Sequence, residues 1–254
     1  MNIIVCVKQT FDSESAIVLD EQGLICEEGI KRTLNPYDEY AVEEALRLRE
    51  EHGGEVTAVS LGAGYARDAL LTALAMGVDQ SLLIYCENYL DELTSGEILG
   101  EAIKRQTYDI ILTGRNSIDN GSSQIPGRIA EKLGLPIASC VTELRLDSQR
   151  VIVTHDRDNG HETLELPLPV VITAQKGLNE PRYPSIVGIM KAKKKPMEII
   201  EAASLVTFDD LAPRGVCVIE YKMPAQAKAG QVIKGNPVEA AKALVATLQE
   251  EKLI

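Results

Sequence analysis

Tryptophan is missing from this 254-residue chain, and phenylalanine occurs only twice. An aromatic platform for stacking single-stranded nucleic acid is therefore not expected. Cations are also in deficit, with 26 Lys and Arg against 38 Asp and Glu for a net charge of −12. Such a chain is repelled by phosphate backbones, so nucleic acid is excluded as a partner class. The five cysteines (Cys6, Cys26, Cys86, Cys140 and Cys217) form no C-x-x-C pair, and the three histidines lack metal-ligand spacing. Zinc and iron–sulfur sites are not expected. Cys6, Cys86 and Cys140 lie in apolar runs and read as buried small hydrophobes. No run approaches the ~20 apolar residues of a membrane span. The segment Met1–Lys8 has no basic leader or small-residue cleavage site, which points to a cytoplasmic protein. A P-loop, a G-x-G-x-x-G turn, a nucleophile–base pair and paired catalytic carboxylates are missing as well.

What is present is alternation. Apolar runs at Ile3–Val7, Val56–Leu61, Ser81–Tyr85 and Asp109–Thr113 read as strands of a parallel sheet covered on both faces. Amphipathic helices lie between them. Asn35-Pro36 opens the first helix with a cap followed by proline. Ala41, Ala45 and Leu48 share its inner face, Glu43 and Arg47 form an outer i,i+4 pair, and Gly53-Gly54 ends it. The second helix buries Leu70, Ala73 and Leu74 and stops at Gly77. Thr94-Ser95-Gly96-Glu97 reads as a capping box for the third. The fourth follows Gly121-Ser122-Ser123 and buries Ile125, Ile129 and Leu133. The fold class is therefore α/β, a doubly wound, mostly parallel, Rossmann-like sheet. Short strands at Val141–Leu146, Arg150–Thr154 and Thr163–Leu166 add a small antiparallel part, and Pro167–Ala174 returns to the core. From 176 to about 235 no helix is expected. So long a structureless stretch does not suit the inside of a compact domain and reads as an arm lying on another subunit. A capped helix from Asn236 closes the chain. The organisation expected is a nucleotide-binding α/β domain over 1–190 and a C-terminal arm and helix over 191–254.

Three loops leave the carboxyl ends of the parallel strands, where ligands of open α/β sheets bind. They carry Lys8-Gln9-Thr10, Ser60-Leu61-Gly62-Ala63-Gly64 and Gly114 to Gln124. The last enters a helix N-terminus, whose free N–H groups and dipole favour phosphate. Its other reading is a solvated polar loop capping the helix. A second segment, Leu178 to Lys195, sets Ile186, Val187, Ile189 and Met190 beside four lysines in a proline-braced loop. It reads either as a loop folded over its own core or as a protruding apolar anchor with a basic rim.

The segments LNEPRYPSIVGIMKAKKKP, GRNSIDNGSSQ, NPYDEYAVEEALRLRE, VKQTFD and TALAMGVD together resemble the electron-transfer flavoprotein beta-subunit family, nearly end to end. The resemblance implies a heterodimer with an alpha subunit that holds the redox FAD, the arm and last helix packing on that subunit, and an AMP buried in this chain. The residues it assigns to cofactors are Cys6, Lys8, Asn35, Tyr37, Leu61, Gly62, Ser117, Asp119, Asn120, Ser122, Ser123, Gln124 and Ile125. Tyr37 and Ser13 would approach the flavin, and Asp156 would lie near a hinge contact. Pro184, Ile186, Ile189, Met190 and Lys191 would dock acyl-CoA or related flavin dehydrogenases, with Ile186 as anchor. Four positions depart from the mitochondrial type: Asn120 replaces an acid, Ser123 an Asn, Ile186 a Leu and Ser13 a Tyr. A bifurcating branch of the family carries a second FAD in place of AMP and takes electrons from NADH. Outside the resemblance stand two further readings, a free-standing nucleotide-binding regulator and an adenylate-handling enzyme.

Overall fold

The computed structural model describes residues 1–147, 149–206, 215–225, 230 and 232–254. Strand β1 (Asn2–Cys6) leads into a hairpin of β2 (Gln9–Phe11) and β3 (Arg32–Leu34), with Gln9 opposite Leu34. Helix α1 (Pro36–His52), β4 (Glu55–Gly62), α2 (Ala66–Met76), β5 (Gln80–Tyr85), α3 (Glu92–Lys104), β6 (Ile110–Gly114) and α4 (Ile125–Leu133) follow. Next come β7 (Ile137–Asp147), β8 (Arg150–Arg157), β9 (Gly160–Pro167), β10 (Val170–Ala174), α5 (Ile186–Ala192), β11 (Met197–Glu201) and α6 (Pro237–Glu250).

The main sheet runs β11-β5-β4-β1-β6-β10-β7-β8-β9. It is parallel from β11 through β10 and into the start of β7, and antiparallel from there to β9. Alternate residues face opposite ways along a strand, and both faces of the parallel part are covered. Ile3, Val5, Val56, Ala58 and Leu112 pack with Ala41, Leu46, Leu70 and Leu74 of α1 and α2. Ile4, Val59, Ile84 and Ile111 pack with Ile98, Ile103 and Ile129 of α3 and α4. The mostly parallel, doubly wound α/β fold expected from the alternation is the fold observed.

Several local expectations change. The cap of α3 is Asp91, whose side chain accepts from the Thr94 N–H at 2.9 Å; Thr94 lies inside the helix. Asn35 caps α1 through its carbonyl and uses its side chain elsewhere. Glu43 is buried against Arg182, and Arg47 reaches instead to Glu44, itself buried, at 3.3 Å. The stretch after Gln175 is not structureless: α5 is helical, and β11 joins the sheet beside β5. Its carbonyls and amides find sheet partners there, which a solvated arm would not supply. Beyond Val206 the picture differs. Residues 215–225 carry no regular structure, and α6, opened by an Asn236–Glu239 capping box, buries none of its residues. The remaining parts of the expected arm, 207–214, 226–229 and 231, lie outside the described residues.

Candidate functional site

Strand β1 has β4 on one side and β6 on the other. The chain winds outward from β1 through β4 to β5, then crosses back to β6. The carboxyl ends of β1 and β6 therefore flank the point where the winding reverses, the place such sheets offer a ligand. Asp38, in the first turn of α1, ties this point together. One carboxylate oxygen accepts from the Lys8 N–H at 2.7 Å, and the other from the Gly114 N–H at 3.1 Å and from Asn35 Nδ2 at 2.9 Å. Burial pushes the Asp38 carboxyl up to about 7 against the pull of these donors. Gly114 has to be glycine. A Cβ there would collide with the Asp38 carboxylate and sit 2.7 Å from the Tyr37 backbone carbon.

Asn35 reaches from α1 into the loop after β6. Its Nδ2 also donates to the Asn116 carbonyl at 2.9 Å, and its Oδ1 accepts from the Ile118 N–H at 3.2 Å. The Lys8 ammonium crosses the mouth between the β1 and β6 loops to Asp119 at 2.7 Å, with Ser117 Oγ at 3.4 Å. Burial alone would raise the Asp119 carboxyl, yet Lys8, the Ser117 hydroxyl and the Asn120 N–H hold it below its ordinary value. Asn120 accepts from Ser117 Oγ and from the Ser122 N–H, and donates to Glu92 at the start of α3. The Arg115 guanidinium lies 5.1 Å from the centroid of the Tyr37 ring, within cation–π range.

The turn into α4 suits an anion. Gly121 and Ser123 adopt left-handed φ of 64° and 56°, and Gln124 returns to φ −87°. Alternation of that kind turns successive N–H groups toward one point. Helix α4 starts without a side-chain cap and without an acid in its first turn. Its first amides and dipole remain free for a negative group. Gln124 Oε1 accepts from Arg128 at 2.6 Å, leaving its amide nitrogen as a donor. Leu61 and Gly62 lie at the end of β4, and the buried Ser60 hydroxyl before them finds no partner among the described residues. Arg32 lies between the Phe11 and Tyr65 rings, at 4.8 and 4.4 Å, and fastens the β2–β3 hairpin to the loop after β4. Cys6 is buried, first by packing and then beside Asp38, which pushes its thiol up to about 12. It stays protonated at neutral pH and is not a nucleophile.

The structure thus gathers Cys6, Lys8, Asn35, Tyr37, Ser117, Asp119 and Asn120 around β1 and β6, with Leu61 and Gly62 on one flank and Ser122, Ser123, Gln124 and Ile125 at the start of α4. Ser13 is exposed after β2, and Asp156 is exposed on β8, paired with His161 at 2.9 Å. Asp38 and Asn116 complete the site and were not picked from the sequence. An acid in a helix's first turn reads as a local dipole partner, and nothing local reveals Lys8 and Gly114 as its ligands. Among the described residues no His, Cys, Asp and Glu group could hold a metal, and no helix is long and apolar enough to cross a membrane.

The anchor segment lies elsewhere. Helices here run opposite to the strands, so the carboxyl end of α2 lies at the sheet's amino edge. Helix α5 packs on that end, with Gly188 against the Ala75 carbonyl. The crevice and the anchor are thus at opposite edges. Tyr183, Ile186 and Met190 are 95%, 79% and 68% exposed, and Val187, Ile189 and Lys191 are exposed beside them, with Pro184 half-buried. Lys195 is not part of a solvated rim. Its ammonium turns inward to the carbonyls of Leu74 at 3.0 Å and Val78 at 2.5 Å.

Comparison with known proteins agrees with this architecture. The model of the electron transfer flavoprotein domain matches residues 22–205. The electron transfer flavoprotein subunit beta of Bacillus subtilis (strain 168) is 44% identical over 254 residues, covering 99% of this chain and 98% of that one. This chain belongs to the electron-transfer flavoprotein beta-subunit family. The beta subunit of Bos taurus is 35% identical over 98% of this chain and 97% of its own length. The caffeyl-CoA reductase-Etf complex subunit CarD of Acetobacterium woodii is 31% identical, covering the whole of both chains. The electron-transfer flavoprotein beta subunits it resembles span the antiparallel extension and α6 as well as the sheet.

Proposed function

We propose that this chain is the small subunit of a heterodimeric electron-transfer flavoprotein. It takes electrons from flavin dehydrogenases such as acyl-CoA dehydrogenases and passes them through FAD to a respiratory or other acceptor, in the cytoplasm. The observation that carries this reading is the cluster of loops at the carboxyl ends of β1, β4 and β6, which brings Lys8, Ser117 and the uncapped start of α4 to one edge of the sheet. In this reading the crevice binds and positions a nucleotide. The residues present fit an adenylate. Ser123, Gln124 and Ile125 would hold its phosphate, with Lys8 and Ser117 nearby. Cys6, Asn35, Leu61 and Gly62 would line the crevice beneath it, and Asp119, Asn120 and Ser122 would shape its rim. FAD, held chiefly by the alpha subunit and approached by Tyr37, supplies the redox chemistry, while this chain supplies position and electrostatics. The exposed apolar arm residues Val216, Val218, Ile219 and Tyr221, with the unburied α6, would pack on that subunit. Ile186, with Pro184, Ile189, Met190 and Lys191, would dock the dehydrogenase.

The second reading is a bifurcating flavoprotein with a second FAD in place of AMP and NADH as donor, because the Gly121-Ser122-Ser123 turn would take a pyrophosphate as well as a single phosphate. One experiment separates the two. Nucleotides are released with acid from the purified heterodimer and resolved by chromatography. One FAD and one AMP per heterodimer supports the carrier, and two FAD without AMP supports the bifurcating form. A heterodimer that carries neither flavin nor adenylate after FAD supplementation would overturn both.

A further inference from the structure

Helix α5 has little reason of its own to be helical. It is seven residues long, has Gly188 at its centre and buries only Ala192. A helix that short does not persist alone in water, and an interior glycine weakens it further. Its outward face carries Ile186, Val187, Ile189 and Met190, which a free loop would fold away from water. What holds it lies at its two ends. On the amino side, Arg182 forks onto α1. It meets Glu43 through Nε at 2.8 Å and Nη2 at 3.0 Å, and Glu50 through Nη1 at 2.6 Å and Nη2 at 3.2 Å. Its backbone N–H adds a bond to Glu43 at 3.0 Å, and Asn179 bonds Glu44 and the Tyr40 carbonyl beside it. On the carboxyl side, Lys195 closes the last turn of α2 through the Leu74 and Val78 carbonyls. Between them Gly188 lets α5 touch α2, and the Ser185 side chain caps it by accepting from the Gly188 N–H at 3.0 Å.

We propose that Arg182 and Lys195 are positioning residues that hold α5 as a preformed docking helix for an apolar pocket with an acidic rim on the partner dehydrogenase. This rests on the docking reading above. The ordering cost of the anchor is met when the chain folds, not when the dehydrogenase arrives, so encounter starts from a rigid face. The acidic rim follows from charge. In a chain of net charge −12, the cations Lys191, Lys193 and Lys194 gather at one end of the apolar face, and all three are exposed. A pocket without acids would leave them unmatched.

Amide hydrogen exchange on the purified heterodimer tests the clamp directly. Arg182→Gln should speed exchange across 186–192 by tenfold or more while α1, α3 and the sheet keep their protection. Arg182→Lys should fall between, because an ammonium cannot reproduce the fork. The pair Arg182→Gln with Glu43→Gln avoids a lone buried carboxylate and should match Arg182→Gln if the latter folds poorly. In steady-state assays with a purified acyl-CoA dehydrogenase as donor, these variants should raise KM several-fold with kcat and FAD content unchanged. Unchanged exchange over 186–192 in the paired variant overturns the clamp. Faster exchange with an unchanged KM upholds the clamp and overturns the docking reading.

Discussion

Asp38 does at one point what a sheet of this kind leaves to ligand or water. Strand-end amides at the winding reversal need acceptors, and this carboxylate takes those of Lys8 and Gly114 together with the Asn35 amide. Asp38→Ala strands the buried Gly114 N–H, at about 1–3 kcal/mol, and leaves the part-buried Lys8 N–H without its acceptor. Gly114→Ala forces a methyl into the same space, an overpacking cost of about 1–3 kcal/mol. Because both changes break one bond, the double variant should lose less stability than the sum of the singles by chemical denaturation; strict additivity would separate the two roles. The same carboxyl sets a pH dependence. Its folded-state value is raised to about 7 from an unfolded value of about 4, so the folded chain binds this proton more tightly. Its contribution is full below about pH 4 and is lost as pH rises through about 7. Asp38→Asn should therefore flatten the decline of Tm between pH 4 and 7, measured by scanning calorimetry. An identical slope in the variant would assign that titration to another group.

At the scale of elements, Asp91 couples two that are far apart in sequence. It caps α3 and also accepts from the backbone N–H groups of Gly215 and of Val216, the latter at 3.0 Å. Burial would raise this carboxyl, but the N–H donors of Thr94, Gly215 and Val216 outweigh it and hold it well below the ordinary range. Asp91→Ala should cost about 1 kcal/mol from the lost cap, and it should also release the chain at 215–225. Limited proteolysis should then cut that segment faster while the sheet stays intact; unchanged cleavage would mean that the arm is held by other contacts. Elements were legible where one face is buried with a clear period. The strands from Ile3, Val56, Ser81 and Asp109 and the helices packed on them fall in this class, as does the capping box at Asn236. The β2–β3 hairpin was not legible, since its three-residue strands are separated by residues 12–31 and locked by Arg32 between Phe11 and Tyr65. Nor was α5, whose helicity comes from distant side chains and whose apolar face points outward. The candidate site was legible only as loops at strand ends; the places of Asp38 and Asn116 in it were not, because their partners are remote in sequence.

Across the whole molecule, the candidate crevice and the proposed docking helix sit at opposite edges of one sheet. The crevice lies at the carboxyl ends of β1 and β6, and α5 rests on the far end of α2. Strands β1, β4 and β5 lie between them, and α1 touches both, through Asp38 at the crevice and through Glu43 and Glu50 at the Arg182 clamp. Coupling between sites needs an element with two arrangements that both sites bias, and α1, the element both share, is held in one by its buried Ala41, Val42, Ala45 and Leu46 against the sheet. Ser123→Ala with Gln124→Ala should therefore lower bound nucleotide and heterodimer Tm, since a ligand stabilises only the state that binds it, while leaving KM for the dehydrogenase in place. Ile186→Ala should do the reverse, raising that KM roughly tenfold, the scale of a buried anchor residue, with FAD and AMP content intact. Combined, the two sets should give the product of their separate effects on electron transfer and the sum of their effects on stability. Nucleotide content by acid release, Tm and KM measured on the same four preparations decide it. A nucleotide-site variant that shifts KM as far as Ile186→Ala does would require a path through the sheet, and with it a different account of why the crevice and the docking helix are so placed.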